Sequence, residues 1–382
     1  MKALVIIGTR PEAIKLAPIV YKLNEQSGVE VVVCLTAQQR EMVDQTLKVF
    51  DIVPDVDLDL MSANQTLTDI ASKVIASIGD VIRSVNPDLI LVQGDTTTAF
   101  CGALAGFYTK TKVGHIEAGL RTGDRFSPYP EEVNRSMVSN LADYHFAPTK
   151  RSKNNLLAEG VCKSDIYVCG NTVIDSLLLV REILTKKNYI PSHLKNKLDG
   201  KKQTILVTGH RRENIGDPVK EICGAIKDVA LSREDVQFVY PVHMNPNIQN
   251  AVNEALTDIE NVHLTDPLNY KDFVWLLNES TLVLTDSGGI QEEAPTFGKP
   301  VLVMRDTTER PEGIESGNAL LVGHSRESIV YSINNLLDNP VEYRNMSEKA
   351  NPYGDGDSAT KIVDFLLAKI PANKRLDQKD AA

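Results

Sequence analysis

The sequence predicts an α/β protein made of two doubly wound domains in tandem. Short apolar runs with few charges alternate with amphipathic stretches, a pattern typical of parallel sheets covered by helices on both faces. The pattern is interrupted by a Lys-rich segment, residues 183–202, and then restarts. The length of 382 residues also suits two domains of roughly 100–200 residues each.

The first half of the chain predicts a sheet of five strands with helices between them. The apolar runs that predict strands are Ala3–Ile7, Val29–Leu35, Leu89–Val92, Val113–Ile116 and Tyr144–Ala147. The segments with helical spacing of apolar residues are Glu12–Leu23, Gln38–Phe50, Leu67–Val85 and Thr97–Tyr108.

The second half repeats this organisation. Strands are expected at Thr204–Thr208, Val236–Val242, Val262–Thr265, Thr281–Thr285 and Pro300–Met304, with a sixth at Leu320–Val322. The Lys-rich segment contains Pro191 and Gly200, which indicates a surface connection. The chain ends with an expected helix, Ser358–Lys369, and a polar tail, 373–382, expected to be flexible.

Composition excludes several classes of protein. With 41 Lys and Arg against 51 Asp and Glu, the formal charge of −10 argues against a general nucleic-acid or membrane-surface binder. No window approaches the roughly 18 apolar residues of a membrane span, and the first apolar run, Ala3–Ile7, is too short for a signal peptide. The odd number of cysteines, five, without C-x-x-C spacing, predicts buried reduced thiols and a cytoplasmic location.

The segment after the first strand, GTRPEAIK, is a candidate anion site. Its glycine permits a tight turn, Pro11 suits a first helical turn, and a helix N-terminus favours an anion. Arg10 and Lys15 would add positive charge there. An ordinary strand-to-helix turn with solvated basic residues is the alternative.

Three carboxylates stand where strands end or the next helix begins. Asp95 follows the third expected strand and is either an N-cap or a group aimed into a ligand site. Glu117 ends a buried strand, where an unpaired charge would be costly unless it is functional. Glu131 falls in the first turn of a helix, where a carboxylate is also a good structural choice.

Strand ends in the second half carry cations and glycines. His210 and Arg211 follow one strand as either a ligand-binding group or a salt-bridged loop. His243 follows the next strand as either a ligand-facing residue or a loop histidine with its hydrogen bonds satisfied locally. The strongest local signal is Ser287-Gly288-Gly289, because such a turn lets backbone N–H groups approach a phosphate.

Two further residues extend this phosphate motif. Glu293 lies about one helical turn beyond it and can accept hydrogen bonds from vicinal hydroxyls, and Arg310 can add charge at the same phosphates. The sequence contains no G-x-G-x-x-G, Walker A, H-E-x-x-H or G-x-S-x-G motif, and no Cys/His cluster, so no metal site is expected.

Taken in order, these motifs closely resemble the non-hydrolysing UDP-N-acetylglucosamine 2-epimerases of bacteria. The segments that carry the resemblance are GTRPEAIKLAP (8–18), TAQQREM (36–42), GDTTT (94–98), GHIEAGLRTG (114–123), PEEVNR (130–135), GNTVID (170–175), TGHRREN (208–214), YPVHMNP (240–246), DSGGIQEEAP (286–295), GKPVLVMRDTTERPE (298–312) and NPYGDG (351–356). Each is weak to moderate alone, but their joint order over nearly the whole chain is specific.

The resemblance implies a GT-B-like fold, with two Rossmann-like domains facing a cleft and a C-terminal helix that crosses back to the first domain. The implied N-terminal domain is 1–170 with a helix at about 358–372, and the implied UDP-binding domain is 171–357. The family interconverts UDP-GlcNAc and UDP-ManNAc for surface polysaccharides, through elimination of UDP to a 2-acetamidoglucal and its re-addition. The family needs no redox cofactor and no metal, and it is commonly dimeric, which predicts a homodimer.

The resemblance also assigns residues. Asp95, Glu117 and Glu131 match the family's catalytic carboxylates, and His210 matches its active-site histidine. The positions that match its substrate-binding residues are Arg10, Lys15, Phe273, Ser287, Gly288, Gly289, Glu293 and Arg310. The positions that match an allosteric UDP-GlcNAc site of some members are Gln38, Gln45, Arg211 and His243. This last site departs from the family pattern, because Gln39 replaces the usual His.

Other interpretations remain open from sequence. A UDP-sugar glycosyltransferase would share the fold and the DSGG element, but it would not require the three carboxylates together. An epimerase of UDP-2,3-diacetamido-uronic acid would need an additional cation. A hydrolysing epimerase often carries a kinase domain, for which the chain has no room, and a non-enzymatic sensor would not need intact acid/base groups.

Overall fold

The structure, a computed structural model, describes residues 1–36, 40–60, 65–195, 197–209 and 216–370. It divides into two compact units. Unit 1 comprises Met1–Ser176 and the chain from Tyr353 onward, and unit 2 comprises Leu177–Pro352. No helix within these described ranges is both long enough and apolar enough to cross a membrane.

Unit 1 is built on a parallel sheet of seven strands. The strands are β1 (Lys2–Ile7), β2 (Glu30–Leu35), β3 (Val56–Asp57), β4 (Leu89–Gln93), β5 (Lys112–Ile116), β6 (Tyr144–Ala147) and β7 (Ile166–Val168), in the spatial order β3-β2-β1-β4-β5-β6-β7. The order reverses between β1 and β4, which is where ligands bind in open parallel sheets.

Helices cover both faces of this sheet. They are α1 (Arg10–Asn24), α2 (Arg40–Val49), α3 (Leu67–Val85), α4 (Thr97–Thr109), α5 (Glu131–Leu141), α6 (Lys150–Ala158) and α7 (Thr172–Lys186), which runs across the boundary between the units. Side chains alternate along β1, so Leu4 and Ile6 pack with α3 and α4 while Val5 and Ile7 pack with α1. Each face of the sheet therefore has its own core.

Unit 2 contains a second parallel sheet, of six strands. They are β8 (Gln203–Thr208), β9 (Val236–Pro241), β10 (Val262–Thr265), β11 (Leu282–Thr285), β12 (Val301–Val303) and β13 (Ala319–Leu321), in the order β10-β9-β8-β11-β12-β13. Its helices are α8 (Ser192–Lys195), α9 (Asp217–Ser232), α10 (Pro246–Leu256), α11 (Tyr270–Glu279), α12 (Gly288–Glu293), α13 (Pro311–Ser316), α14 (Arg326–Asp338) and α15 (Pro340–Ser347).

The last described helix, α16 (Ser358–Lys369), belongs to unit 1. Its Phe365 ring stacks on Tyr167 at 5.1 Å between centroids and meets Phe146 edge-on at 5.5 Å. Ile362 and Leu366 are fully buried in the core that α1 shares. The expected return of the C-terminal helix to the first domain is therefore confirmed, as is the prediction of two doubly wound α/β domains.

Two strands, β3 and β7, were not predicted, and part of one expected loop is helical. β3 has only two residues, and β7 has three with Tyr in the middle, so neither shows a periodic apolar pattern. The expected connection from 183 to 202 is wrong over its first part, because α7 continues to Lys186 around the buried Leu184, and α8 follows within it. The expected helix Gln38–Phe50 is described only from Arg40.

The boundary between the units falls after Ser176, whereas the sequence placed it after residue 170. The first turn of α7 packs within unit 1, where the Ser176 hydroxyl donates a 2.5 Å hydrogen bond to the Ile14 carbonyl. On the return, the Tyr353 carbonyl accepts a hydrogen bond from Asn171 N–H at 2.6 Å. These contacts explain why the chain up to Ser176, and again from Tyr353, belongs to unit 1.

Candidate active site

Glu117 is the centre of a buried polar cluster in unit 1. Its side chain is 6% exposed, and Lys15 Nζ of α1 lies 2.6 Å from both of its carboxylate oxygens. Gln93, the last residue of β4, donates its side-chain amide to Oε2, and Asn171 donates its own to Oε1 at 2.9 Å. A cation and two amide donors thus hold this carboxylate as an anion.

The backbone at Glu117 is unusual. Its φ of 64° lies in the left-handed region, which costs energy for a residue other than glycine. The turn after β4 approaches it closely, since a Cβ built on Gly94 would lie 3.7 Å from Glu117 Oε2, and Gly94 itself has a φ of 70°. A strained turn at Glu117 and a glycine turn at Gly94, at the ends of neighbouring strands, therefore place the carboxylate beside Asp95. Strain of this kind is common at functional sites.

A buried histidine, His115, is hydrogen-bonded to the Gly94 turn. His115 Nε2 lies 2.8 Å from the Gly94 carbonyl. Burial lowers the pKa of His115 to about 3, so the ring is neutral at pH 7. Because a carbonyl only accepts, the proton is on Nε2, and His115 donates to the residue that precedes Asp95.

Asp95 is positioned by α5. Arg135 donates to its carboxylate, and Asn134 Nδ2 donates to its carbonyl at 3.0 Å. The alternative that Asp95 caps the following helix is wrong, because Thr96 fills that role by accepting from Ala99 N–H. The Asp95 side chain instead pairs with Arg135.

The two carboxylates have different charged neighbours. Burial raises the pKa of Asp95, the Arg135 guanidinium opposes this, and the negative charge of Glu117 raises it further. Glu117 has Lys15 beside it. The raised pKa makes Asp95 suited to carry a proton in acid/base chemistry.

The Gly8 and Thr9 amides of the GTRPE turn already bind a carboxyl group of the chain itself, that of Glu12. Glu12 is fully buried, and its Oε2 accepts from Gly8 N–H at 2.8 Å and Thr9 N–H at 2.6 Å. Its Oε1 accepts from Thr96 Oγ1 at 2.5 Å, which joins the first turn to the Asp95 turn. These two amides are therefore engaged by Glu12, and positive charge at this end of the sheet comes from the Lys15 side chain of α1.

The third expected carboxylate, Glu131, is the first residue of α5 and is half-buried. Within the described ranges it takes part in neither the Lys15–Glu117 nor the Asp95–Arg135 ion pair. Its neighbour Glu132 is buried and accepts from Thr122 N–H at 3.0 Å, which ties the preceding loop to α5. Glu132 has a structural role that the sequence did not separate from that of Glu131.

In unit 2, Ser287 is the N-cap residue of α12, and Gly288 and Gly289 are the first two residues of that helix, directly after β11. Ser287 N–H donates to Thr285 Oγ1 at 3.0 Å. A Cβ built on Gly289 would lie 3.5 Å from Glu293 Oε1 and 3.9 Å from Ser287 Oγ, so the side chains of Ser287 and Glu293 flank the bare glycine backbone. The expected phosphate-binding and ribose-binding residues are therefore adjacent.

Arg310 is held against the same helix. It caps α13, and its Nε donates to the carboxylate of Glu292, whose side chain is 5% exposed. Thr308 Oγ1 donates to Gln291 at 2.7 Å, so two side-chain pairs attach the 305–310 loop to α12. The guanidinium is fixed by a partner that the sequence analysis did not identify.

The remaining expected residues are spread more widely. Arg10 is the first residue of α1, Phe273 is half-buried on α11, and Gln45 is exposed on α2. His243 Nδ1 accepts from Asn245 N–H at 3.2 Å, within the turn before α10. His210, Arg211, Gln38 and the divergent Gln39 lie outside the described residues.

Sequence reasoning missed Gln93 and Asn171. Both are nearly fully buried polar residues, 3% and 2% exposed. Gln93 is the only polar residue of its strand, and this is a signal that the sequence does contain. Among the described residues, no group of three or more His, Cys, Asp or Glu side chains is placed to hold a metal ion.

The chain is similar to known proteins over nearly its whole length. The family model described as UDP-N-acetylglucosamine 2-epimerase matches residues 21–367. The UDP-N-acetylglucosamine 2-epimerase of Escherichia coli strain K12 is 51% identical over 369 residues, which is 96% of this chain and 98% of that protein.

Two solved structures are similar throughout. The UDP-GlcNAc 2-epimerase of Neisseria meningitidis, bound to UDP-GlcNAc, is 46% identical with a TM-score of 0.88, over 96% of this chain and all of that one. The MnaA protein of S. aureus, solved with UDP, is 43% identical with a TM-score of 0.85, over 97% of each chain.

Proposed function

Because the chain belongs to the UDP-N-acetylglucosamine 2-epimerase family, we propose that it interconverts UDP-N-acetylglucosamine and UDP-N-acetylmannosamine by inversion at C2. The observation that carries this proposal is the pair of partly buried carboxylates, Asp95 and Glu117, at the ends of the neighbouring strands β4 and β5. They are supported by different partners, and burial raises the pKa of Asp95, which suits acid/base chemistry on one carbon.

The reaction has two balanced half-reactions. A base removes the proton from C2, the C1=C2 double bond forms, and the C1–O bond breaks with its electron pair going to UDP. An acid then protonates C2 of the 2-acetamidoglucal on its opposite face, and the UDP oxygen adds back at C1. The sugar leaves with inverted C2, and neither an electron carrier nor another reactant is consumed.

The residues of unit 1 supply the proton transfers. Glu117 is held as an anion by Lys15 and two amides, and Asp95, with its raised pKa, is suited to hold and deliver a proton. Glu131 on α5 and His210 complete the acid/base set that the family resemblance assigns. Arg10 and Lys15 also contribute positive charge at the sugar diphosphate.

Unit 2 supplies the residues that bind UDP. The bare backbone of Ser287, Gly288 and Gly289 suits the diphosphate, and Glu293 beside it suits the ribose hydroxyls. Arg310 adds a guanidinium that Glu292 holds in place, and Phe273 is assigned to the uracil. A firm grip is needed because UDP is both the leaving group of one half-reaction and the nucleophile of the next.

Two properties of the family extend this proposal. The enzyme is a homodimer, and a second UDP-GlcNAc activates it at a site that includes Gln38, Gln45, Arg211 and His243. Gln39 can donate a hydrogen bond there but cannot carry charge, so activation does not depend on protonation at that position. Sedimentation of the purified protein and a plot of rate against UDP-GlcNAc concentration test these two points.

The direct test is incubation with UDP-GlcNAc in deuterated buffer, followed by proton NMR. The proposal predicts UDP-ManNAc with deuterium at C2, without added NAD or metal. Absence of exchange at every enzyme concentration refutes it.

A further inference from the structure

Asn171 connects the Glu117 carboxylate to the start of α7. Its side chain is 2% exposed, and its Nδ2 donates to Glu117 Oε1 at 2.9 Å. Its Oδ1 accepts from Val173 N–H at 3.2 Å, and its own N–H donates to the Tyr353 carbonyl at 2.6 Å. Both ends of the side-chain amide and the backbone N–H of Asn171 therefore form hydrogen bonds at the same time.

We propose that Asn171 is a positioning residue, which fixes the plane of the Glu117 carboxylate for proton transfer at C2. This inference rests on the proposed function and extends it to a residue that contacts Glu117 rather than the substrate.

The geometry gives Asn171 a role that Lys15 does not fill. An ammonium group is a point charge on a flexible stem, and here it binds both oxygens of Glu117 at 2.6 Å, which leaves rotation of the carboxylate undefined. Asn171 and Gln93 each bind a different oxygen, and together they define its plane. If the Asn171 amide rotated by 180°, it would lose the hydrogen bond that its Oδ1 accepts from Val173 N–H. Its Nδ2 therefore donates to Glu117 from a fixed position at the start of α7.

A simpler role must be separated from this one, because Asn171 also acts as the N-cap of α7. Asn and Asp are about equally good N-caps, and Asp adds a favourable charge at a helix N-terminus. Asn171→Asp therefore keeps the cap but replaces the donor that faces Glu117 with an acceptor and a second negative charge. The cap role predicts an unaffected enzyme, and the positioning role predicts an impaired one.

The experiment measures kcat, KM, the pH profile and the thermal unfolding temperature of wild type and Asn171→Asp. We expect kcat to fall about ten- to a hundredfold with KM little changed, because a charge-assisted hydrogen bond to a working group is lost. The acid limb of the kcat profile should move to higher pH, since two adjacent carboxylates share a proton. The unfolding temperature should not fall.

Asn155→Asp is the matched control. Asn155 Nδ2 donates at 2.9 Å to the Gly119 carbonyl, two residues beyond Glu117, and so lies near the same turn without contacting the carboxylate. Its substitution should leave the pH profile in place. If Asn171→Asp fails to fold, Asn171→Ser serves instead, because Ser keeps the cap, adds no charge and lacks the amide donor. It should lower kcat without moving the profile.

A readout that needs no turnover separates this inference from the proposed function. With carboxyl-¹³C glutamate, the Glu117 resonance is assigned by its loss in Glu117→Gln and then titrated. Its transition should move to higher pH in Asn171→Asp and stay in place in Asn155→Asp. An active wild type whose Asn171→Asp variant matches it in kcat and titration overturns the positioning role alone. A wild type without exchange overturns the function.

Discussion

Removal of Lys15 tests the ion pair at the centre of the unit 1 site. In Lys15→Met the buried Glu117 carboxylate loses a cation 2.6 Å from both of its oxygens. Breaking a buried pair from one side costs about 3–5 kcal/mol. Lys15 is 19% exposed, and the Gln93 and Asn171 amides still donate to the carboxylate, so we expect the lower end, about 3 kcal/mol.

The assay must report each unit separately, because two domains need not unfold together. Hydrogen exchange of β4 and β5 peptides reports unit 1, and fluorescence of the single tryptophan, Trp275, reports unit 2. Lys15→Met should lower protection in unit 1 and leave the Trp275 transition in place. In the double variant with Glu117→Gln, much of the loss should be recovered, because no unpaired charge remains.

The control is Lys22→Met on the same helix. Lys22 pairs with Glu25, but their side chains are 40% and 59% exposed, so the change should stay within about 0.5 kcal/mol. A loss of less than about 0.5 kcal/mol in Lys15→Met, or an equal loss in unit 2, would show that the pair does not stabilise unit 1 as described.

Three further predictions concern catalysis, UDP binding and pH. Asp95→Asn should abolish turnover while UDP affinity, measured by calorimetry, survives; equal loss of both would make its role structural. Arg310→Met should weaken UDP binding about ten- to a hundredfold, whereas Arg326→Met, at an exposed pair with Asp228, should not change it. Burial raises the pKa of Asp175 to about 6 from 3.8, so its contribution to stability is full below about pH 4 and lost as the pH rises through 6. The stability of Asp175→Asn relative to wild type should thus rise by about 2.4 kcal/mol between pH 4 and 7.5, and a difference that is flat with pH would contradict this.

The architecture could be predicted from sequence because most of the strands are marked by their own apolar runs. Parallel strands place their carboxyl ends at one edge, so the positions of Asp95 and Glu117 after β4 and β5 follow once the strands are located. Strands such as β3, with two residues, could not be predicted because they are too short to show a periodic apolar pattern.

The partners of the site residues could not be predicted in the same way. The Gln93 and Asn171 bonds to Glu117 depend on the left-handed turn at that residue, and Asn171 is 54 positions away in the chain. The GTRPE turn was expected to favour an anion because a helix begins there, but the sequence does not show that Glu12 accepts from its Gly8 and Thr9 amides. Sequence shows which groups stand at the sheet edge, and the turn geometry decides which of them pair.

The central claim, that UDP leaves and returns during inversion at C2, is tested most directly by positional isotope exchange. UDP-GlcNAc is prepared with ¹⁸O in the oxygen that joins C1 to the β-phosphorus, and the label is followed by ³¹P NMR and mass spectrometry during turnover. The account predicts that the label moves into the non-bridging β-phosphate oxygens, because the C1–O bond breaks and the free phosphate turns before re-addition. Epimerisation with the label retained entirely in the bridge would contradict it.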